Sequence, residues 1–371
     1  MRIFGLPAPL VALFMSCASG IAAPRNSTLE EEHNTQIKAS HDNKPPVPPN
    51  PPPLPPPRPL VIWHGLGDQY ASAGMLEFIE LIKEMHEGIF IYSARISDEP
   101  NADQKAGWFG NVNEQVAQVA EQIAAIPELE GGFDAIGFSQ GGQFLRAYVE
   151  RFNSPPVRNL ITFGSQHMGI SDLPGCKPTD WLCRAARAAA ASGVYSPWAQ
   201  KNLVQAQYFR DHRHIGSYLH SSTFLADINN EIPEEDDDED EEPRIRNLTY
   251  AFNLASLDNF VMALFDQDQT VVPKESAWFG SYALPTDDDN DVDKGAIIPM
   301  RKQRLYKEDW IGLRTLDEAD KLFLIVCQGE HMRLTDECWR PIVARWVGSI
   351  DMDKVTEASV PQIPSLLIQD W

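Results

Sequence analysis

The chain has 371 residues, 43% of them hydrophobic and 23% charged, which is enough to bury a large core and allows two or three domains of about 100–200 residues. Its formal net charge is −22, from 53 acidic and 31 basic residues. The chain therefore has no excess of cations with which to neutralise phosphates, and nucleic acid is not an expected partner. Part of the negative charge is local, because residues 234–242 are nine consecutive acids and residues 287–293 include five aspartates.

The first 23 residues are expected to be a secretory signal peptide. Met1-Arg2 precede an apolar stretch that is too short to span a bilayer, and small residues suited to cleavage follow between Gly20 and Ala23. An uncleaved anchor is the alternative. No other stretch approaches the roughly 20 apolar residues of a transmembrane helix, so we expect no transmembrane segment in the mature protein.

Residues 24–59 are polar and then rich in proline, with eleven of the chain's 29 prolines between positions 45 and 59. Such a segment stays extended and packs no core, so it is interpreted as a disordered leader. The folded body is expected to begin at about Leu60.

From Leu60 onward, short apolar runs alternate with segments of helical periodicity. The pattern predicts strands at 60–63, 89–91, 133–138, 157–163, 260–265 and 322–327, and helices at 75–85, 112–123 and 141–152. Alternating strands and helices are typical of the α/β class, with a mostly parallel central sheet and helices on both faces.

The alternation breaks between Gly164 and Tyr250, where the chain is rich in alanine, glutamine and aromatic residues and has no clear strand. We expect a helical cap at residues 166–250, inserted between two parts of the core at 60–165 and 251–350, with a tail at 351–371. The acid run near the end of the cap is interpreted as a surface loop. It lacks the spaced ligands and the glycine of a calcium-binding loop.

The third predicted strand runs directly into Gly137-Phe-Ser-Gln-Gly141 and then into a helix. A GxSxG match is weak alone, but a preceding strand and a following helix are the context of a nucleophile elbow. The turn is so tight that the residues two positions before and two positions after the serine must be small, and both are glycines here. Ser139 is therefore the predicted nucleophile, and the backbone N–H of Gln140, at a helix N-terminus, is a predicted oxyanion donor.

A serine hydroxyl needs a base and an orienting acid, and this fold supplies them in the order serine, acid, histidine. The acid is expected after the strand at 260–265, where Asp266 and Asp268 are both candidates. The base is expected after the last strand, where His331 is the only histidine beyond residue 220.

The second oxyanion donor is expected in the loop after the first strand, which reads Trp63-His-Gly-Leu-Gly67. A His-Gly pair is the expected opening of that loop, and the backbone N–H of Leu66 is the candidate. His64 lies on the wrong loop to act as the base and is interpreted as structural. The serine, the acid, the histidine and the oxyanion loop each occur where this fold requires them, which favours a serine hydrolase over a sugar-binding or nucleotide-binding protein.

From these residues alone, a thioesterase and a carboxylesterase or lipase on the same fold both remain open. The mostly apolar cap indicates a substrate with a long hydrocarbon tail. A lipid-binding protein with an inactive site is a further alternative, against which the complete set of catalytic residue types argues.

The cysteines and glycosylation motifs agree with a secretory protein. Once Cys17 leaves with the signal, spacing suggests the disulfides Cys176–Cys183 and Cys327–Cys338, with free thiols as the alternative. No CxxC or paired-histidine spacing accompanies them, so no metal site is expected. The triplets starting at Asn26 and Asn247 match the N-glycosylation acceptor pattern.

Several segments together resemble the palmitoyl-protein thioesterase family. They are 59–68 (PLVIWHGLGD), 137–142 (GFSQGG), 164–169 (GSQHMG), 203–209 (LVQAQYF), 224–229 (FLADIN), 278–280 (WFG) and 305–312 (LYKEDWIG). The resemblance spans about Leu60 to Ser349 and includes the cap, which varies most among hydrolases. It implies an α/β-hydrolase that needs no cofactor and removes long-chain fatty acyl groups, such as palmitoyl, from S-acylated cysteines of proteins or peptides. It also implies a lysosomal, vacuolar or secreted location.

Carried over residue by residue, the resemblance implies roles for five positions. It assigns Ser139 as nucleophile, His331 as base, Asp268 rather than Asp266 as acid, and the backbone N–H groups of Leu66 and Gln140 as oxyanion donors.

The resemblance also supports the Cys176–Cys183 pair, whereas the Cys327–Cys338 pair looks like a local addition. The proline-rich leader, the acid run and the aspartate-rich insert at 286–293 depart from the family pattern. His167, in the shared GSQHMG segment, is interpreted as either lining the site or making a structural hydrogen bond.

Overall fold

The computed structural model describes residues 56–172, 184, 193–232, 245–284 and 295–348. Its strands are β1 (Leu60–Trp63), β2 (Ile91–Ser93), β3 (Phe133–Phe138), β4 (Val157–Phe163), β5 (Asn259–Phe265), β6 (Ser281–Tyr282), β7 (Ile297–Ile298) and β8 (Leu322–Cys327). Its helices are α1 (Ala73–Met85), α2 (Pro100–Ala106), α3 (Val112–Ala124), α4 (Gln140–Arg151), α5 (Pro197–Asn202), α6 (Val204–Gln207), α7 (Ile215–Ser221), α8 (Leu225–Ile228), α9 (Leu248–Ala255), α10 (Arg304–Lys307), α11 (Leu313–Glu318) and α12 (Asp336–Trp346).

Six strands form one parallel sheet in the order β2-β1-β3-β4-β5-β8. Parallel sheets are covered on both faces, which explains why the central strands were recognisable as near-continuous apolar runs. The predicted α/β class and parallel sheet are confirmed. The second strand begins two residues later than expected. Ile89 is buried, as its apolar side chain suggests, but pairing with β1 begins only at Ile91, opposite Leu60.

The two faces of the sheet bury separate apolar clusters. Alternate residues of β1 show the division, since Val61 belongs to the cluster beneath α3 and α4, whereas Ile62 belongs to the cluster beneath α1 and α12. This is the two-residue period of a strand. Val61 and Ile62 are both fully buried, so the sheet is packed on both faces and can hold the loops at the carboxyl ends of its strands in place.

The ends of the helices follow local capping chemistry. The Oγ of Ser72 accepts a hydrogen bond from the N–H of Met75 at 3.2 Å, so α1 starts two residues before its apolar periodicity does. The Oδ1 of Asn111 likewise accepts from Asn113 at 2.9 Å at the start of α3. Several short elements were not predicted because they are too brief to show a period: α2, α10, α11 and the antiparallel pair β6–β7.

Helices α5 to α8 lie between β4 and β5 in the predicted cap region, and no strand of the main sheet comes from the part of it that is described. Two isolated bridges involve this region: Ile170 pairs with Phe209 within it, and Leu203 pairs with Phe109 of the loop before α3. Helix α9 lies against the core helix α4, and the Nδ2 of Asn253 donates to the carbonyl of Glu150 at 3.0 Å.

Several predicted segments lie outside the described residues. These are the signal peptide, the leader up to residue 55, the acid run, the aspartate-rich insert and the tail after residue 350. Within the part that is described, no helix is both long and apolar enough to cross a bilayer.

Candidate active site

Ser139 stands at the junction of β3 and α4 with backbone angles of φ 50° and ψ −122°. A positive φ is strained for a residue with a side chain and is retained where the surroundings enforce it. Here the N–H of Ser139 donates to the carbonyl of Phe163 at 2.8 Å, and the turn is too crowded for side chains on either flank. A Cβ at Gly141 would lie 2.5 Å from the carbonyl oxygen of His64, and one at Gly137 would collide with the backbone of Gly142. The GxSxG sequence therefore forms the expected elbow.

An imidazole and a carboxylate lie in line with this hydroxyl. The Nε2 of His331 is 3.1 Å from the Oγ of Ser139, and its Nδ1 is 2.6 Å from the Oδ2 of Asp268. The other oxygen of Asp268 accepts hydrogen bonds from the N–H groups of Thr270 at 2.8 Å and Val271 at 3.0 Å. The carboxylate is nearly buried and fixed by the backbone, so it can orient the imidazole.

Asp266, the other candidate acid, has a different role in the fold. Its Oδ1 accepts from the N–H of Gly329 at 2.7 Å, and its own N–H donates to the carbonyl of Cys327 at 3.0 Å. Asp266 thus joins the loop after β5 to the loop that carries His331. The structure brings Asp268, and not Asp266, to the imidazole.

The loop after β1 passes beside the elbow. A Cβ on Gly65 would lie 3.2 Å from the Cβ of Ser139, which shows how closely the two backbones approach. Among the described residues, neither the N–H of Leu66 nor that of Gln140 donates to a protein acceptor. Both N–H groups are therefore free to donate to a bound oxygen.

His64 does not face the serine. It is buried, its Nε2 lies 3.0 Å from the Oδ2 of Asp103, and its Nδ1 lies 3.0 Å from the carbonyl oxygen of Gly65. Asp103 also accepts from the N–H groups of Tyr70 and Ile96 at 3.0 and 2.7 Å. Burial raises the pKa of Asp103, but these contacts outweigh it and hold that pKa below its ordinary value. The structural interpretation of His64 is confirmed, and its partner Asp103 was missed because no motif marks it.

A cavity of about 550 Å³ opens at Ser139 and His331. Its volume is ordinary for a small-molecule site. Apolar side chains from the core and from the cap region line much of it: Met75, Phe78, Trp108, Phe138, Ile170 and Val271. Leu66, Gln166 and Tyr208 also line the cavity. The site can therefore hold an apolar chain whose reactive end meets the serine.

His167 does not line this cavity. It is fully buried, its ring stacks on Phe279 with centroids 4.9 Å apart, and its Nε2 lies 3.0 Å from the Oγ1 of Thr162. Burial, followed by the nearby positive charge of Arg146, holds the pKa of His167 well below its ordinary value, so the ring is neutral. Of its two interpretations, the structural one is correct.

The other predicted site residues fall in three groups. Cys327 and Cys338 form a disulfide with Cα atoms 5.2 Å apart, while Cys176, Cys183 and Asn26 lie outside the described residues. Asn247 is exposed, and its Oδ1 caps α9 by accepting from the N–H of Thr249 at 3.0 Å. In the described ranges, no three His, Cys, Asp or Glu side chains cluster in a way that could hold a metal ion.

The parallel sheet, the elbow and the histidine loop define the class of this protein as an α/β-hydrolase with a serine at its nucleophile elbow. The chain matches the palmitoyl protein thioesterase family over residues 59–331. Palmitoyl-protein thioesterase 1 of Caenorhabditis elegans is 39% identical over 277 residues, which cover 74% of this chain and 87% of that protein. Palmitoyl-protein thioesterase 3 of Dictyostelium discoideum is 33% identical over 274 residues, covering 74% and 85%. The Lysosomal thioesterase PPT2 homolog of Drosophila melanogaster is 28% identical over 277 residues, also covering 74% and 85%. The chain belongs to the palmitoyl protein thioesterase family.

Proposed function

We propose that this protein is a serine-type thioesterase that removes long-chain fatty acyl groups from S-acylated cysteines of proteins or peptides. Family membership supports the thioester bond and the palmitoyl-type chain. The observation that carries the mechanism is the position of His331, 3.1 Å from the Ser139 hydroxyl and 2.6 Å from the Asp268 carboxylate.

In the first half of the proposed reaction, Ser139 attacks the thioester carbonyl carbon while Nε2 of His331 takes the hydroxyl proton. The carbonyl electron pair moves to the oxygen, which accepts hydrogen bonds from the N–H groups of Leu66 and Gln140. When the tetrahedral intermediate collapses, the carbon–sulfur bond breaks and the sulfur leaves with the electron pair. A thiolate is a good leaving group, so cleavage of the carbon–sulfur bond depends little on prior protonation. The departing sulfur then takes the proton from His331, which gives a free thiol and restores the neutral imidazole.

In the second half, water attacks the ester now joining the acyl group to Ser139. His331 takes a proton from the water and then returns it to the serine oxygen as the acyl–oxygen bond breaks. The products are a fatty acid and the regenerated serine. Asp268 keeps the imidazole in the tautomer that both halves require and stabilises the imidazolium form.

The test compares an S-palmitoyl-cysteine peptide with the O-palmitoyl-serine peptide of the same sequence, using the purified full chain. We expect the thioester to be the better substrate and Ser139→Ala to lose its hydrolysis. Rapid cleavage of the oxyester with negligible cleavage of the thioester would instead identify a carboxylesterase or lipase. Activity that is unchanged in Ser139→Ala would overturn the assigned nucleophile.

We also propose that the protein passes through the secretory pathway to a lysosome, a vacuole or the cell exterior. The signal-like N-terminus, the exposed Asn247 sequon and the Cys327–Cys338 bond support this location, as does the word lysosomal in the name of the Drosophila relative. Mapping of the mature N-terminus and of the glycan on Asn247 in protein from a eukaryotic host tests it. A retained N-terminus together with an unmodified asparagine would contradict it.

A further inference from the structure

Helix α9 presents large apolar side chains to solvent. Leu248 and Phe252 are 80% and 76% exposed, and Ile245, just before the helix, is 87% exposed. The other exposed large hydrophobic side chains in the described part of the chain have exposed fractions of only 41–53%: Leu76, Phe152 and Trp198. The three most exposed large apolar side chains among the described residues therefore lie close together in the sequence, between positions 245 and 252.

These side chains are not the ones that attach α9 to the core. Successive residues of a helix are rotated by about 100°, so Leu248 and Phe252 lie on one face and Tyr250 and Leu254 on the opposite face. Tyr250 and Leu254 are the buried pair. The helix is thus apolar on its outward face as well, and a cluster of exposed apolar side chains usually marks contact with another surface.

An N-glycosylation motif lies within this cluster. The acceptor Asn247 is the N-cap residue of α9 and is exposed, and Leu248 is the middle residue of the motif, which ends at Thr249. The backbone of Asn247 is held by the buried Asn230, whose Oδ1 accepts from its N–H at 2.9 Å and whose Nδ2 donates to its carbonyl at 3.0 Å. A glycan attached here would therefore start from a fixed point beside the apolar face.

The outward face lies within reach of such a glycan. Side chains on a helix lean toward its N-terminus, so Phe252 leans toward Leu248 and both lean toward the end that carries Asn247. Along the helix axis, Asn247 and Phe252 are only about 7–8 Å apart. The first two N-acetylglucosamine rings of an N-linked glycan together span that distance. The faces of these rings carry C–H groups that can pack on apolar side chains, while their hydroxyl groups stay in water.

We propose that the outward face of α9, formed by Ile245, Leu248 and Phe252, binds the first sugars of a glycan on Asn247, given the proposed secretory location on which this inference rests. The sugar rings cover the apolar side chains and present their own polar groups to solvent. The glycan thereby turns an apolar surface into a polar one and keeps α9 from associating with other molecules.

Hydroxyl-radical labelling of side chains, measured by mass spectrometry, tests this contact in the full chain from a eukaryotic host. The glycosylated wild type is compared with Thr249→Val, which removes the motif but keeps the backbone N–H that Asn247 caps. We expect Leu248 and Phe252 to be labelled about twofold to threefold more slowly in the wild type, because apolar contact with the sugars removes about half or more of their accessible area. Leu76 and Trp198, exposed on α1 and α5, should be labelled equally in both proteins.

Enzymatic removal of the glycan from the folded wild type gives the same comparison if Thr249→Val does not fold. It leaves an aspartate at position 247, which is also a good N-cap residue.

A second set of variants keeps the motif and changes the apolar face. Leu248→Gln with Phe252→Gln should let an endoglycosidase that cuts between the first two sugars release the Asn247 glycan at least about fourfold faster, the factor that corresponds to burying one methylene group. Leu76→Gln makes the same kind of change on α1 and should leave that release rate unchanged.

The outcomes separate this inference from the proposed enzymatic function. Equal labelling of Leu248 and Phe252 with and without a glycan at an occupied Asn247 overturns it, as does an unchanged release rate in the double variant. Slow labelling in both forms also overturns it and would assign the face to a second copy of the chain or to another of its segments. An unmodified Asn247 overturns it as well, whereas cleavage of a palmitoyl thioester by the same preparation would leave the proposed reaction standing.

Discussion

At the scale of single residues, the site depends on close backbone contacts at the nucleophile elbow, which leave no room for side chains at the flanking glycines. Ser139 keeps a strained backbone because the glycines around it let β1, β3 and α4 approach closely. His331 and Asp268 each arrive on a loop that follows a neighbouring parallel strand. A change of one atom in the Asp268 carboxylate should therefore change kcat.

We predict that Asp268→Asn lowers kcat by about 10³-fold or more, because an amide in place of the carboxylate favours the wrong imidazole tautomer. Asp266→Asn is the matched control. Its oxygen can still accept from Gly329, so its kcat should stay within about tenfold of the wild-type value. Steady-state kinetics on an S-palmitoyl peptide compares them, and the reverse order would assign the acid to Asp266.

Single residues were predictable from the sequence where only one residue of the required type follows the right strand. His331 follows the last strand as the only histidine in the second half of the core, so its position was predictable. Asp266 and Asp268 could not be separated by spacing, since both follow β5, and only the folded loop shows which one turns toward the imidazole. Asp103 was missed because its contacts depend on how α2 packs.

At the scale of elements, helix α4 links the site to the cap region through a buried charged group. Arg146 donates to Oε1 of Glu150 at 3.0 Å, to Oδ1 of Asn229 at 2.9 Å and to the carbonyls of His167 and Ile228. Both charged side chains are fully buried. Ionised Glu150 loses its hydration in the interior, and Arg146 offsets that cost only in part, so protonation of Glu150 should affect stability.

We predict that Glu150 makes stability depend on pH. Burial raises its pKa from 4.5 to about 7, with Arg146 opposing the shift. Between these values the folded state holds a proton that the unfolded state has lost, so this component of stability is fully present below about pH 4.5 and is lost as the pH rises through about 7. This component should amount to about 3 kcal/mol, because a difference of one in pKa corresponds to about 1.4 kcal/mol.

Denaturant unfolding at several pH values, for the wild type and for Glu150→Gln, measures this component by difference. The variant should lack the decline, while Glu77→Gln on the exposed face of α1 should keep it. An identical decline in Glu150→Gln would mean that the carboxyl group does not titrate in this range.

Long elements were predictable because their periodicity reflects burial. The strands of the parallel sheet are apolar on both faces, and α3 carries one apolar stripe, so their bounds were close to those observed. Brief elements such as α2 and the β6–β7 pair have no measurable period. Their positions are set by tertiary contacts, for example the hydrogen bond from Gln104 of α2 to the carbonyl of Gly67 at 2.6 Å.

At the scale of the whole molecule, one covalent bond joins the last sheet strand to the last described helix. Cys327 ends β8, Cys338 lies in α12, and both are buried. The intervening loop carries His331. The bond therefore restricts a loop that belongs to the site, and it is expected only in an oxidising compartment.

Removing this bond should destabilise the protein. We predict that Cys327→Ala with Cys338→Ala lowers the free energy of unfolding by about 2–3 kcal/mol, the range for a closed loop of this length. Denaturant unfolding of the double variant and of the oxidised wild type measures the difference. Equal stabilities, or two free thiols in the mature wild type, would count against both the bond and the proposed compartment.

Acyl transfer is proposed to pass through the Ser139 oxygen, and the mass of the enzyme during turnover shows whether it does. The full chain is mixed with S-palmitoyl-cysteine peptide, quenched in acid within milliseconds, digested and sequenced by mass spectrometry. We predict one palmitoyl group on the peptide that contains Ser139, and none on the corresponding peptide of the Ser139→Ala protein. Turnover with the acyl group on another residue, or an unchanged yield of acyl-enzyme in Ser139→Ala, would contradict it.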